Sequence, residues 1–211
     1  MIMKSAWNLV GMALWLLLIV YFAYIIHDMR ARRLRLIVTE KKSFTWRNFW
    51  ISFGELAAFL LFLWGMSYST FFLDVKKMDQ SRITTSYTYK PLIIRYRDDQ
   101  SDYVTVQNGT GRKPIQNYTF YVDGGKYLVN STNATVVYGK SNLNIQAETY
   151  KWNKEWLNHL DTRYQKAWVA TVTTTYKKNL FNGIGLHAGR QADRFSLIRI
   201  PDKSFMDVVG D

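Results

Sequence analysis

The sequence predicts an α+β protein with an N-terminal two-helix transmembrane hairpin, followed by a small, mostly antiparallel β-sheet domain with one packed helix. Three observations carry that expectation. Two long apolar runs fill the first third of the chain, and a cluster of basic residues separates them. Beyond Leu73 the composition turns to Thr, Tyr, Asn, Lys and Val in alternating patterns.

Ala6 to Ile26 is a run of 21 residues without a charge, and Asn8 is its one strongly polar side chain. At 1.5 Å per residue it covers about 30 Å, the thickness of a hydrocarbon layer. A cleavable signal would have a shorter apolar core and a small-residue cleavage site, whereas here Tyr24-Ile25-Ile26-His27 leads straight into arginines. The second run, about Phe49 to Leu73, holds the unbroken apolar block Leu56–Trp64. Trp46 and Trp50 at one end and Trp64 and Tyr68 at the other are placed for the two headgroup levels, with Trp7 as the outer marker of the first span. Gly54, Ala58, Leu61 and Gly65 recur at helical spacing, and small residues there allow a helix to approach closely.

Between the runs stand Arg30, Arg32, Arg33, Arg35, Lys41, Lys42 and Arg47. Basic residues resist translocation, so loop 28–48 is expected in the cytoplasm, in contact with an anionic leaflet. The N-terminus and the C-terminal domain then lie outside. The expected organisation is a hairpin over 1–73 (spans 6–26 and 49–73), a connector over 74–82 and an extracytoplasmic α+β domain over 83–211. Net charge is +12, divided into +5 up to Leu73 and +7 beyond it. A basic outward surface suits anionic envelope polymers or headgroups, and nucleic acid is not expected on that side. With no cysteine the domain has neither disulfides nor thiolate metal ligands, and must rely on its own core.

In the outward domain, Ile83–Arg97 alternates as a strand that Pro91 confines to an edge or splits. Asp98 to Asp102 forms a turn, and Tyr103–Gln107 is a short strand ending at Asn108-Gly109. Tyr118–Val122 and Lys126–Val129 flank Asp123-Gly124-Gly125, the clearest hairpin signal, with Ala134–Tyr138 as a further strand. Trp156, Leu157, Leu160, Tyr164 and Ala167 give a helix over about Asn153–Ala167, leaving Asp161 among the outward-facing residues. Trp168–Tyr176 alternates with period two, its threonines forming one wet face, and Phe195–Ile200 is the last strand.

No motif names a reaction: no catalytic residue, cofactor or metal site is assigned. The glycines of Gly183-Ile184-Gly185-Leu186-His187-Ala188-Gly189 miss the dinucleotide spacing, and Gly139-Lys140-Ser141 has Ala134 where a phosphate loop begins with glycine. Asp98, Asp99 and Asp102 do not match a calcium loop. Three residues stand out as possible ligand or partner contacts. Glu55 is the single ionisable side chain within the spans, either a proton or ion relay, a contact to a partner membrane protein, or a carboxyl protonated or bonded to Tyr21, Tyr24 or His27; His187 and Arg190 lie in the glycine loop, where an anionic ligand could meet them. The strand tyrosines Tyr87, Tyr89, Tyr96, Tyr103, Tyr118, Tyr121, Tyr127 and Tyr138 suit either stacking on a ligand or cross-strand pairing.

The tryptophan-edged hairpin, the Arg30–Arg35 cluster and the Tyr/Thr/Asn-rich sheet together resemble the small, uncharacterised two-span membrane proteins of lactic acid bacteria. The resemblance implies a Gram-positive membrane and an outward domain, and transfers no site. The expected role is a non-enzymatic, membrane-anchored module that binds or supports an envelope component. The alternatives are an envelope enzyme acting on wall polymer and a sensor signalling through the hairpin. A pocket with converging carboxylates or His187 would favour the enzyme; a flat sheet with exposed tyrosines would favour binding.

Overall fold

A computed structural model describes residues 5–41, 44–75, 78–97, 100–109 and 115–209. Lys42, Asp98 and Asp99, singled out above, lie outside the described residues. The chain divides into two compact units: residues up to Thr84 together with Thr175–Ala192, and Thr85–Thr174 together with Asp193 onward. Segment 175–192 therefore groups with the apolar helices, whereas its sequence pattern assigns it to the sheet domain.

In the first unit, α1 (Trp7–Glu40) and α2 (Trp46–Phe71) are long and apolar enough to cross a membrane. The basic segment expected as a loop is mostly helix. Arg30–Glu40 continues α1, because Arg and Leu are strong helix formers and no Gly or Pro interrupts them. The chain turns only after Glu40, at Lys41, whose φ of 49° ends the helix. With 34 residues α1 is about 50 Å long at 1.5 Å per residue, well beyond a bilayer core. Asn8, Gly11, Leu18, Ile25 and Leu36 form its buried stripe, whereas α2 buries none of its residues. Phe22 and Phe59 stack between the helices with ring centroids 4.9 Å apart. Gly54 and Gly65 meet no neighbour within 4 Å of a built Cβ, so that small-residue face is not what joins α2 to α1.

Helix α4 (Leu180–Ile184) belongs to this unit and packs against both long helices. A Cβ on Gly11 would collide with the Gly183 carbonyl, one on Gly183 with the Trp7 backbone, and one on Gly185 with the Ser69 carbonyl. These glycines are what lets backbone meet backbone.

The second unit contains most of ten strands: β1 (Ile83–Pro91), β2 (Arg95–Arg97), β3 (Gln100–Asp102), β4 (Val104–Gln107), β5 (Asn117–Val122), β6 (Gly125–Asn130), β7 (Ala134–Val137), β8 (Trp168–Tyr176), β9 (Gln191–Arg199) and β10 (Met206–Val209). Among the described residues they form a sheet ordered β1-β8-β9-β7, a second ordered β10-β4-β5-β6, and the small β2-β3 pair. The α+β layout is the one expected, and the sheets are mixed: β7 pairs parallel with β9, and β10 parallel with β4. The expected hairpin is β5-β6, closed by Asp123-Gly124, with Gly124 and Gly125 at φ of 102° and 135°. β7 does not extend that hairpin. After the turn at 131–133 it joins the other sheet beside β9, a long-range pairing no local turn signal encodes.

Two cores flank the β8-β9 sheet. Leu157 and Leu160 of α3 (Lys154–Arg163) pack with Trp168, Ala170, Val172, Phe195 and Leu197 on one face. Val104, Val106, Phe120, Val122, Val169, Ile198 and Ile200 fill the space between the two four-stranded sheets. The threonine face of β8, expected to be simply wet, therefore looks toward a second sheet. Asp161 also differs from expectation: it turns inward to Arg199, whose side chain is 0% exposed, with Nε 3.3 Å from Oδ1. Asp161 Oδ1 also accepts the Trp168 indole N–H at 2.8 Å, and Arg199 Nη2 donates to the Gly139 carbonyl at 2.7 Å. A helix position that reads as solvent-facing is thus recruited by a buried cation.

Candidate functional site

The strands leave a cleft of about 230 Å³ between the two four-stranded sheets. Period-two alternation decides its chemistry, since every second residue of a strand shares a face. Thr88 and Lys90 come from β1, Thr171 and Thr173 from β8 beside Val169, and Arg194 and Ser196 from β9. The opposite wall is Phe120 and Val122 of β5 with Tyr127 and Val129 of β6. β1 and β6 are both edge strands, so the cleft lies along a side where the two sheets end.

Its depth is apolar and its lip cationic. Phe120 and Tyr127, directly paired across β5 and β6, stack with centroids 5.8 Å apart. Lys90 lies 5.8 Å over the Tyr127 ring and donates to the Asp123 carbonyl at 3.3 Å, which holds its ammonium at the mouth. Arg194 is exposed, and Thr171 Oγ1 and Ser196 Oγ are 3.1 Å apart. Among the described residues that line the cleft there is no carboxylate and no imidazole. Two cations and four aliphatic hydroxyls, with the Tyr127 phenol as a fifth, can hold an anion and orient a hydroxylated ligand.

The residues the sequence singled out lie elsewhere. Glu55 faces Arg32, not Tyr21, Tyr24 or His27: Arg32 Nη1 donates to Oε1 at 3.0 Å, Nη2 bonds Oε2, and Asp28 Oδ2 is 3.0 Å from Nη1. The reason is the continued helix, which carries Arg32 one turn past Asp28 on the face toward α2. Replacing Glu55 by leucine is expected to lower the thermal midpoint of the full chain in detergent, by about 0.6–2 kcal/mol in stability, with Glu55→Gln intermediate. Thermal denaturation of both variants checks this. Arg30, Arg33, Arg35, Lys41 and Arg47 are exposed, while Arg32 is half-buried.

His187 sits at the end of α2. Its Nε2 is 3.0 Å from the Thr70 carbonyl, one of the four carbonyls a helix end leaves without an internal partner, and its ring stacks on Tyr176 at 4.9 Å. Arg190 is exposed, with Nη1 3.4 Å from the Leu186 carbonyl. Asn182, which sequence reasoning passed over, organises this segment. Its Oδ1 accepts from Arg82 Nε and Nη2 at 3.2 Å, and its Nδ2 donates to the carbonyls of Arg82 at 2.8 Å and Lys177 at 2.9 Å. Asn8 reaches the same segment, donating to the Ala188 carbonyl at 3.1 Å.

Burial pushes the His187 imidazole below its ordinary value; the Thr70 carbonyl works against this, and Arg190 and Arg82 add to it. A folded value below the unfolded one of about 6.5 means the stabilisation is complete above that pH and is lost as pH falls through it. Lowering the pH from about 7.5 to 5.5 is expected to reduce the thermal midpoint of the full chain, and His187→Gln, which keeps a donor for Thr70 without a titrating ring, to flatten that dependence.

The tyrosines divide in the same way between packing and surface. Tyr118 is buried, and Tyr87 and Tyr89 pair with Trp152 and Trp156. Arg95 lies over Tyr121, and Asp102 is taken by Arg95 at 3.1 Å. Tyr96 stays 78% exposed. The signal that could have found the cleft was the Thr171/Thr173 and Arg194/Ser196 alternation on two neighbouring strands.

A family model named after a locus of a lactic acid bacterium, for an uncharacterised family, matches residues 6–207. No curated protein matches the chain, and no solved structure does.

Proposed function

Since the chain belongs to this family, whose matched span takes in both apolar helices and nearly all of the sheet domain, we propose that it is a membrane-anchored, non-enzymatic binding module of a Gram-positive cell envelope. The hairpin holds it in the bilayer with the Lys41 turn in the cytoplasm, and the sheet domain faces outward to an anionic envelope component. The observation that carries this reading is the chemistry of the cleft: Lys90 and Arg194 at the mouth, hydroxyls along one wall, an aromatic pair on the other, and neither carboxylate nor imidazole among the described residues that line it. Support for the orientation comes from the exposed Arg30, Arg33, Arg35, Lys41 and Arg47 at one end of the hairpin, against Phe72 and Leu73 after the far end of α2. Those basic side chains are placed for contact with an anionic leaflet.

The test is retention of purified anionic wall polymer from a lactic acid bacterium by the full chain in phosphatidylcholine nanodiscs. Binding is expected to weaken as ionic strength rises from about 0.05 to 0.5 M and to fall at least tenfold in the Lys90→Gln, Arg194→Gln double variant. Retention that this variant leaves untouched would remove the cleft from the account. Hydrolysis of the polymer by the intact chain would replace a binding role with an enzymatic one.

A further inference from the structure

The geometry points to a phosphodiester of a small polyol as the group the cleft takes. This deepens the proposed function and rests on the cleft being its binding surface. Size sets the first limit: about 230 Å³ is smaller than the roughly 300–1,000 Å³ of sites that enclose drug-sized ligands, so one charged unit enters while its neighbours along a chain stay outside. The lip sets the second. Lys90 stands on β1 and Arg194 on β9, a compact ammonium and a planar fork on separate strands. A carboxylate offers two oxygens in one plane, which a single arginine fork satisfies. A phosphodiester offers two non-bridging oxygens that share one negative charge, and two ester oxygens, in a tetrahedral array, which suits one point charge, one fork and hydroxyl donors from different directions. Thr88, Thr171 and Thr173 supply those donors on the Lys90 and Arg194 side. The same hydroxyls also accept, so they can bond polyol hydroxyls next to the phosphate, while Phe120, Val122 and Val129 on the opposite wall give the carbon chain an apolar surface.

Such a group occurs both in soluble or wall-linked polyol phosphates and in glycerol-type lipid headgroups. Calorimetric titration of the full chain in phosphatidylcholine nanodiscs with glycerophosphoglycerol, glycerol and glucuronate tests the assignment. Glycerophosphoglycerol is expected to bind at least tenfold more tightly than glucuronate, and glycerol not to bind. Arg194→Gln and Thr173→Val are each expected to weaken it several-fold, with Lys126→Gln, an exposed cation on β6 that does not line the cleft, unchanged. Discs doped with phosphatidylglycerol are compared with discs doped to equal charge with phosphatidylserine. Competition by phosphatidylglycerol alone makes the lipid headgroup the source, and equal affinity in both makes it the polymer; either result supports the shared chemistry. Glucuronate binding as tightly as the phosphodiester overturns this inference and leaves the anion-binding function standing. Binding of none of the three, or binding that Arg194→Gln and Thr173→Val leave unchanged, overturns both.

Discussion

Replacing Arg199 by alanine is expected to destabilise the sheet domain by about 3–5 kcal/mol, a large share of the roughly 5–15 kcal/mol that holds a domain folded. The guanidinium is fully buried, and its Nη1 has no partner among the described residues; Asp161 and the Gly139 carbonyl carry the interaction. Removing it leaves the Asp161 carboxylate, itself mostly buried, with the Trp168 indole N–H as its one side-chain partner among the described residues. Removing the charge from both ends should cost far less. The Arg199→Met, Asp161→Asn double variant keeps an acceptor for Trp168 and fills the space with apolar atoms, and is expected to recover most of the loss. Denaturant unfolding of the full chain in detergent, followed by amide exchange of β8 and β9, measures both. A loss below about 1 kcal/mol for Arg199→Ala would mean that water reaches the pair.

Gly183→Ala is expected to cost about 1–3 kcal/mol and to release the segment that α4 anchors on the long helices. A methyl there meets the carbonyl, carbonyl carbon and Cβ of Trp7, two of them backbone atoms that cannot rotate aside. The Gly183 carbonyl in turn occupies the space a Cβ on Gly11 would need, so Gly11→Ala should have the same effect. Gly65→Ala is the control, because nothing lies within 4 Å of its built Cβ. Faster exchange of the His187 and Ala188 amides, which donate to the Asn182 carbonyl at 2.8 and 3.2 Å, would report the release. Unchanged exchange in Gly183→Ala would show that the helix ends have room to separate at little cost.

Local signals were legible where one segment decides its own structure. The apolar runs, the Asp123-Gly124 turn and α3, with Asn153 accepting the Trp156 N–H at 3.0 Å as its cap, all follow from composition and spacing nearby. What the sequence hid depends on partners far along the chain. Arg30–Arg35 reads as loop by charge and is helix by propensity, and only the tertiary pairing of Arg32 with Glu55 makes use of it. Gly183 and Gly185 read as a ligand loop because glycine permits close approach to phosphate and to backbone alike, and here the approach is to Trp7 and Ser69. The cleft was half visible, as alternating hydroxyls on β8, but which sheet faced them was set by β7 joining β9 in place of the β5-β6 hairpin.

The orientation of the hairpin governs what the sheet domain can meet, and the absence of native cysteine makes it directly measurable. Lys126→Cys, on the exposed side of β6, and Lys41→Cys, at the end of α1, are each treated in intact cells with a membrane-impermeant maleimide. The account predicts that the Lys126→Cys chain is labelled at once and the Lys41→Cys chain only after the membrane is opened. Labelling of Lys41→Cys in intact cells, with Lys126→Cys protected, would contradict it.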